Sequence, residues 1–492
     1  MRVAVIGAGP AGMTAALQLS RKGVDVDVYE ADQGIGGLAR SLDLWGQRVD
    51  LGPHRFFSSD ARVNRLWLDV VGREYAMVNR LTRLYYRGHF FHYPLKPLDA
   101  LLKMGLPDAA LCLASYLKER LHPRCPATED VSFESWVVHR FGRRLFNVFF
   151  KPYSEKLWGI PCGELSGTFA AQRIQKLSLP EAVKSALSPR RRTRHKTLVD
   201  RFAYPLGGTG SAYERMADRV RNSGGRIHLR CSVRRVLHDG FAVQGLELER
   251  GQVACCDHIV SSMPLTDLVR GLTGVPPQVQ AAAAHLQFRN TILVYLHVDS
   301  SSLFADQWLY IHAPDLQMGR VTNFRNWVPH LHGEAHTTIL AVEHWCNDRD
   351  AMWRAADDQL IAQATRELRS TGLLCNEPIL SGHVVRVRRC YPVYRRGYRE
   401  HLKQIADYLR KFPGLTLIGR NGTFKYNNQD HSMLMGMLAA ENLLDHGAHD
   451  LWTVNSDHET YQEGDLITET GLAGPLAEHA AADAQLAGVG HD

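Results

Sequence analysis

The stretch RVAVIGAGPAGMTAALQLSRKGVDVDVYEAD (residues 2–32) decides the fold. Val3 to Ile6 is a short apolar run, and Gly7-Ala8-Gly9-Pro10-Ala11-Gly12 follows it directly. An Ala/Leu-rich helical pattern comes next, then a second apolar run over residues 24–29 that ends in Glu30. Three glycines at this spacing, set between a strand and a helix with an acid about twenty residues on, form a dinucleotide-binding fingerprint. Gly7 permits the tight turn, Gly9 lets a pyrophosphate approach the backbone, and Gly12 lets helix and strand pack closely. Pro10 and Ala11 open the helix, whose free N–H groups and positive dipole end suit a pyrophosphate. Glu30 is placed to accept from ribose hydroxyls, and its carboxylate repels a 2′-phosphate, which disfavours NADP as the bound dinucleotide.

The segment GIGGLARS (residues 34–41) follows, with Gly36-Gly37, Leu38 and Arg40. This second glycine pair with its arginine resembles the FAD-binding extension of the flavin amine oxidase superfamily, which implies FAD rather than NAD as the bound cofactor.

The rest of the chain bounds the answer. Its 492 residues are 45% hydrophobic and 22% charged, with net charge +7. That is ordinary globular composition with room for two to four domains. The positive excess is too diffuse to argue a nucleic-acid partner. The densest basic run, Arg190 to Lys196, reads as a solvated loop. Nine scattered cysteines without C-x-x-C spacing give neither a metal site nor a disulfide framework, and suggest a cytoplasmic protein. The longest uncharged apolar run, residues 109–117, is too short to span a bilayer, so no integral membrane segment is expected.

The pattern along the chain predicts an α/β fold. A discontinuous Rossmann-like FAD-binding domain takes residues 1–75, 204–275 and 410–450. Residues 76–203, apolar every three to four positions, are expected to be a helical domain. Residues 276–409 alternate apolar and polar positions, as in NTILVYLHV (290–298), and predict an antiparallel-sheet substrate domain. Residues 471–492 are Ala/Gly-rich and are expected to be a disordered tail.

Several further pieces resemble one family, UDP-galactopyranose mutase: LGPHRFF (51–57), KPYSEKLWG (151–159), YPLGG (204–208), LQFRN (286–290), YPVY (391–394) and GRNGTFKYNNQD (419–430). Together they cover most of residues 1–450, and the block around Tyr153 is the most specific. The resemblance implies a reaction in which reduced FAD attacks a sugar's anomeric carbon, and the flavin–sugar adduct recloses through a different ring oxygen. It places His54 by the flavin, Tyr153 on the nucleobase or a phosphate, and Trp158 as a wall of the sugar site. Arg289 would clamp the diphosphate, with Tyr391 and Tyr426 donating hydroxyls to it, and Arg420 would stabilise the reduced flavin. Arg173 resembles the family's mobile-loop arginine, offset by about one place. Val233, Asp430, Ser432 and Met433 are expected cofactor contacts. NAD(P)H is a possible reductant, and a homodimer is compatible with the pattern. Phe57 stands where the mutases have a second histidine. The alternative is an FAD oxidase or desaturase of the protoporphyrinogen oxidase or amine oxidase type, which shares the N-terminal signature.

The purified protein is expected to be yellow. Gly9→Val should abolish FAD binding, because a branched side chain fills the space a pyrophosphate needs. Absorbance of flavin released by heat from the purified variant checks this.

Overall fold

A computed structural model gives the fold; it describes residues 1–93, 99, 103–121, 131–168, 201–445, 447–455 and 467–472. Five strands form an all-parallel sheet in the order Leu415–Leu417, His258–Ser261, Arg2–Ile6, Asp25–Tyr29, Arg226–His228. Val3, Val5, Val26, Val28, Ile259 and Val260 are all buried, as strands covered on both faces must be. The members come from three distant parts of the chain, so the nucleotide-binding core is discontinuous.

Seven strands make the second sheet, in the order Ile379–Val393, Gln287–Val298, Thr338–Cys346, Arg320–Asn323, Trp308–Ile311, Thr82–Tyr86, His89–His92. Every neighbouring pair is antiparallel except Trp308–Ile311 with Thr82–Tyr86. A small antiparallel sheet, Val233–His238, Val243–Leu248 and Val253–Cys255, is inserted in the chain between strands Arg226–His228 and His258–Ser261 of the parallel sheet.

The helical reading of residues 76–203 is corrected at both ends. Thr82–Tyr86 and His89–His92 are strands of the seven-stranded sheet, and Tyr75–Asn79 pairs antiparallel with Arg201–Pro205. The deciding feature is the turn Arg87-Gly88, where both residues have positive φ (50° and 78°). That is the type I′ pattern of a two-residue hairpin, which fits the twist of the strands it joins. Helices Leu106–Arg120, Phe133–Phe141 and Lys151–Trp158 lie between. The expected tail is also shorter than read: Gly471–Leu472 pairs with Ile467–Thr468, and the Tyr75 hydroxyl donates to the Thr468 carbonyl at 2.6 Å. The basic run at 190–196, Arg173 and the tail beyond 472 lie outside the described residues.

The two ends of the chain meet where helix Pro10–Arg21 crosses helix Gln429–Leu444. Contact is closest at Gly436, where a Cβ would sit 2.4 Å from the Ala11 carbonyl oxygen and 2.9 Å from the Ala15 nitrogen. Backbone, not a flexible side chain, fills that space. Gly436→Val should therefore destabilise the protein by about 1–3 kcal/mol, as overpacked cores do. It should also lower FAD occupancy, because the helix can only yield by moving Ala11. Urea unfolding and flavin content of the same preparation check both.

Candidate functional site

The carboxyl ends of the parallel strands open into a cleft of about 1680 Å³. That exceeds the roughly 300–1,000 Å³ of a pocket for one drug-sized ligand, so a dinucleotide and a second molecule can share it. At its outer end Gly7 turns with φ +96°, and a Cβ there would lie 2.3 Å from Ser262 Oγ. Gly12 packs against the turn: its Cβ would lie 1.9 Å from the Gly7 oxygen. Gly9 is different. Its Cβ would meet nothing of the chain nearer than Gly37 Cα at 3.8 Å, so its free side opens to the cleft.

Helix Pro10–Arg21 starts there with no side-chain cap, which leaves first-turn N–H groups for a ligand. Glu30 is fixed by two backbone donors, Ala8 N to Oε2 at 2.7 Å and Asp32 N to Oε1 at 2.8 Å. Arg40 is ion-paired with Asp32, and its Nε is buried with no hydrogen-bond partner among the described residues. Val233 and Ser232 line the same end.

At the inner end the loop 51–57 brings in His54. Its Nδ1 is buried without a hydrogen-bond partner among the described residues. Burial, together with the charges of Arg320 and Arg420, pushes the His54 imidazole down to about 3, so it is neutral. Arg420 lies over the rings of both Tyr391 (4.8 Å) and Tyr426 (4.2 Å), which stack on each other at 5.6 Å. Its Nε donates to the Cys390 carbonyl at 2.8 Å and its Nη1 to the Asn427 carbonyl at 3.1 Å. Arg320 donates twice to Glu343, each at 2.6 Å, and at 3.3 Å to the Tyr391 hydroxyl. Burial keeps the Tyr153 and Tyr391 hydroxyls protonated, as donors.

Helix Lys151–Trp158 forms the facing wall. Tyr153 stacks on His312 at 4.5 Å and meets Tyr310 and Trp345 edge-on. Trp158 meets Tyr391 and Tyr426 edge-on. The helix is held from behind. Lys156 Nζ donates to the carbonyls of Ile311 (3.1 Å), Ala313 (2.8 Å) and Met318 (3.0 Å).

Arg289 is a correction. It does not line the cleft. Its guanidinium donates to the carbonyls of Leu157 (3.2 Å), Lys156 (3.2 Å) and Trp345 (3.0 Å), and packs on Gly159. A cation across the last carbonyls of a helix satisfies groups the helix cannot. Arg289 is therefore a cap for the helix that carries Tyr153 and Trp158, and Arg320, not Arg289, lines the cleft beside Arg420. Met433 and Asp430 are corrections too. The Met433 side chain is in the core between the crossing helices, and the buried Asp430 sits beside His431 rather than on the cleft wall.

Gly7, Gly9, Pro10, Ala11, Glu30 and Gly37 line the outer cleft together with Leu38, Arg40, Val233 and Ser432. His54, Tyr153, Trp158, Tyr391, Arg420 and Tyr426 line the inner part. Arg320, Glu343 and His312 join them without having been read from the sequence. The missed signal was the strand register, which pairs Arg320 directly opposite Glu343. The residues present fit FAD. The glycine turn, the uncapped helix and Glu30 would hold its dinucleotide part, while His54, with its unmet Nδ1, and Arg420 would flank the flavin ring.

The family model for flavin containing amine oxidoreductase matches residues 10–424, and the chain belongs to that family. It is thus a member of the FAD-dependent amine oxidase superfamily. It is similar to the chloroplastic/chromoplastic zeta-carotene desaturase of Arabidopsis thaliana, 27% identical over 301 residues, 52% of this chain and 50% of that one. The chain spans about half the length of the curated relatives it matches. Among solved structures it resembles a reduced UDP-galactopyranose mutase, with TM-score 0.82, 22% identity, and 93% and 96% of the two chains covered. It also resembles a putative protoporphyrinogen oxidase from Exiguobacterium, with TM-score 0.71, 17% identity, and 91% and 99% covered. No described helix is long and apolar enough to cross a membrane.

Burial pushes His312 down to about 3 and His344 down to about 4, in the same direction as His54. A histidine with a depressed folded pKa contributes stability that is full above its unfolded value near 6.5 and is lost as pH falls toward the folded value. Burial pushes Asp50 up to about 6, which opposes this only between about pH 4 and 6. Unfolding free energy in urea should be flat near pH 7, below the range where Lys156 and Lys425, pushed down to about 8 by burial, titrate. It should decline as pH drops from 6.5 toward 4, by up to about 1.4 kcal/mol per pH unit for each of His54, His312 and His344.

Proposed function

We propose that this protein is an FAD-dependent enzyme acting on a nucleotide-activated sugar, in a mutase-type pyranose/furanose isomerisation. The observation that carries this is the inner cleft wall, where the Arg320 and Arg420 guanidiniums converge with the hydroxyls of Tyr153, Tyr391 and Tyr426. A diphosphate oxygen gives such donors a partner, and a charge-assisted hydrogen bond to a guanidinium is roughly twice as strong as a neutral one. An apolar polyene would offer these donors no acceptor.

The flavin would supply the nucleophile for the anomeric carbon. The chain's own work is to hold and to exclude. Arg320 binds the diphosphate, while Tyr391 and Tyr426 donate to it. Trp158 and Tyr153 close the sugar and nucleobase ends against water. His54, neutral across working pH, offers a ring nitrogen to the flavin without adding charge. NAD(P)H is the proposed reductant that brings the flavin to its working state.

A second reading is kept because of one finding, the desaturases among the sequence relatives. It makes the protein an oxidase or desaturase of a small organic substrate.

Arg320→Ala should weaken binding of UDP or a UDP-sugar by about 2–4 kcal/mol, the cost of removing one member of a buried charge-assisted contact. Flavin content should be unchanged. Turnover by wild type should require reduced flavin and consume no stoichiometric acceptor. Stoichiometric oxygen or quinone consumption, with UDP affinity untouched by Arg320→Ala, would establish the second reading instead. Calorimetry and an anaerobic product assay decide.

A further inference from the structure

We propose that Glu343 is a positioning residue: its buried carboxylate aims Arg320 so that one edge of the guanidinium stays available to an anion in the cleft. The nucleotide-sugar reading supplies the anion's identity; the geometry stands apart from it.

Arg320 and Glu343 face each other across the antiparallel strands Arg320–Asn323 and Thr338–Cys346. The Glu343 side chain is 2% exposed and that of Arg320 17%, so the acid is sealed while the base reaches the cleft. Nε and Nη2 both donate to the carboxylate at 2.6 Å, the fork geometry that sets a guanidinium's plane as well as its place. Nη2 also reaches the Tyr391 hydroxyl at 3.3 Å. Nη1 makes no hydrogen bond to any described residue. It is therefore the edge left for a ligand.

The surrounding backbone makes room for this pair. Gly52 lies over it with φ +131°, and a Cβ there would come within 3.2 Å of Glu343 Oε1. The loop that carries His54 can approach only because position 52 has no side chain. Strand cohesion does not need the pair. Thr338–Cys346 is already registered against Gln287–Val298 over nine consecutive positions. Nor is a buried ion pair a stabilising device by default, since desolvation offsets much of its attraction. What Glu343 does supply is orientation. Without it, a long and rotamer-rich side chain facing an open cleft has no fixed direction.

The test is a double-mutant cycle on the full-length, FAD-loaded protein. It uses Glu343→Gln, Arg320→Ala and the pair, with UDP and inorganic pyrophosphate as separate probes in calorimetry. Glu343→Gln alone should weaken both probes at least tenfold. In the Arg320→Ala background it should add nothing, because its effect runs through the arginine. Flavin content should be equal in all four proteins. Losses that add independently overturn the proposal, as does a wild-type protein that binds neither probe. A wild-type protein that binds pyrophosphate but not UDP sinks the nucleotide-sugar reading and leaves this one to the pyrophosphate cycle. If Glu343→Gln fails to fold, Glu343→Asp, shorter by one methylene, is read in the same way. A purely structural role would lower the urea midpoint without the non-additivity.

Discussion

The architecture depends on close approach at three glycines where no side chain fits, two of them backbone on backbone. Gly12 lies against the Gly7 carbonyl, Gly7 against Ser262, and Gly436 against Ala11. These contacts draw the first strand, the first helix and the closing helix within reach of one ligand. Ordinary side chains would hold the elements several ångströms further apart, and the uncapped helix N-terminus would no longer face the inner wall. The inner half of the cleft then inherits its position. Loop 51–57 hangs from this core through Asp50, which accepts from Ser41, Tyr204 and the Thr209 backbone.

Facing that core, helix Lys151–Trp158 is a short element doing precise work with little of its own stability. Isolated helices of this length do not persist in water. Its direction comes from two cations that use no ligand at all: Lys156 on three carbonyls at the end of strand Trp308–Ile311 and in the loop after it, and Arg289 across its last turn. Of the basic residues near the cleft, then, some build the wall and others look out from it. Sorting them by charge alone would misassign both kinds.

That distinction explains what could be read in advance. The nucleotide-binding start was legible because its chemistry is local: three glycines, a helix start and one acid within thirty residues. Tyr153 and Trp158 were legible through the rarity of their block. Arg289 and Arg320 were not separable. Both lie on strands of one sheet, and alternation says only that neighbouring residues face opposite sides. Which of them meets a helix end, and which meets an open cleft, depends on strand pairing, Arg289 with Tyr391 and Arg320 with Glu343, and on a register shift beside Arg289. The hairpins were hidden for a different reason. At Trp45-Gly46 and Arg87-Gly88 the first turn position, which needs positive φ, carries a bulky residue instead of the usual Asn, Asp or Gly.

The order of strands in the parallel sheet also has a temporal meaning. Arg2–Ile6 lies at its centre, yet one neighbour, His258–Ser261, and the strand beyond it, Leu415–Leu417, are made roughly 250 and 410 residues later. During synthesis at about 5–20 residues per second, the first strand waits for tens of seconds with one side unpaired. The glycine turn exists early, but the helix that closes over it is made more than 400 residues later. A flavin held between the two helices thus waits until residues 429–444 are made.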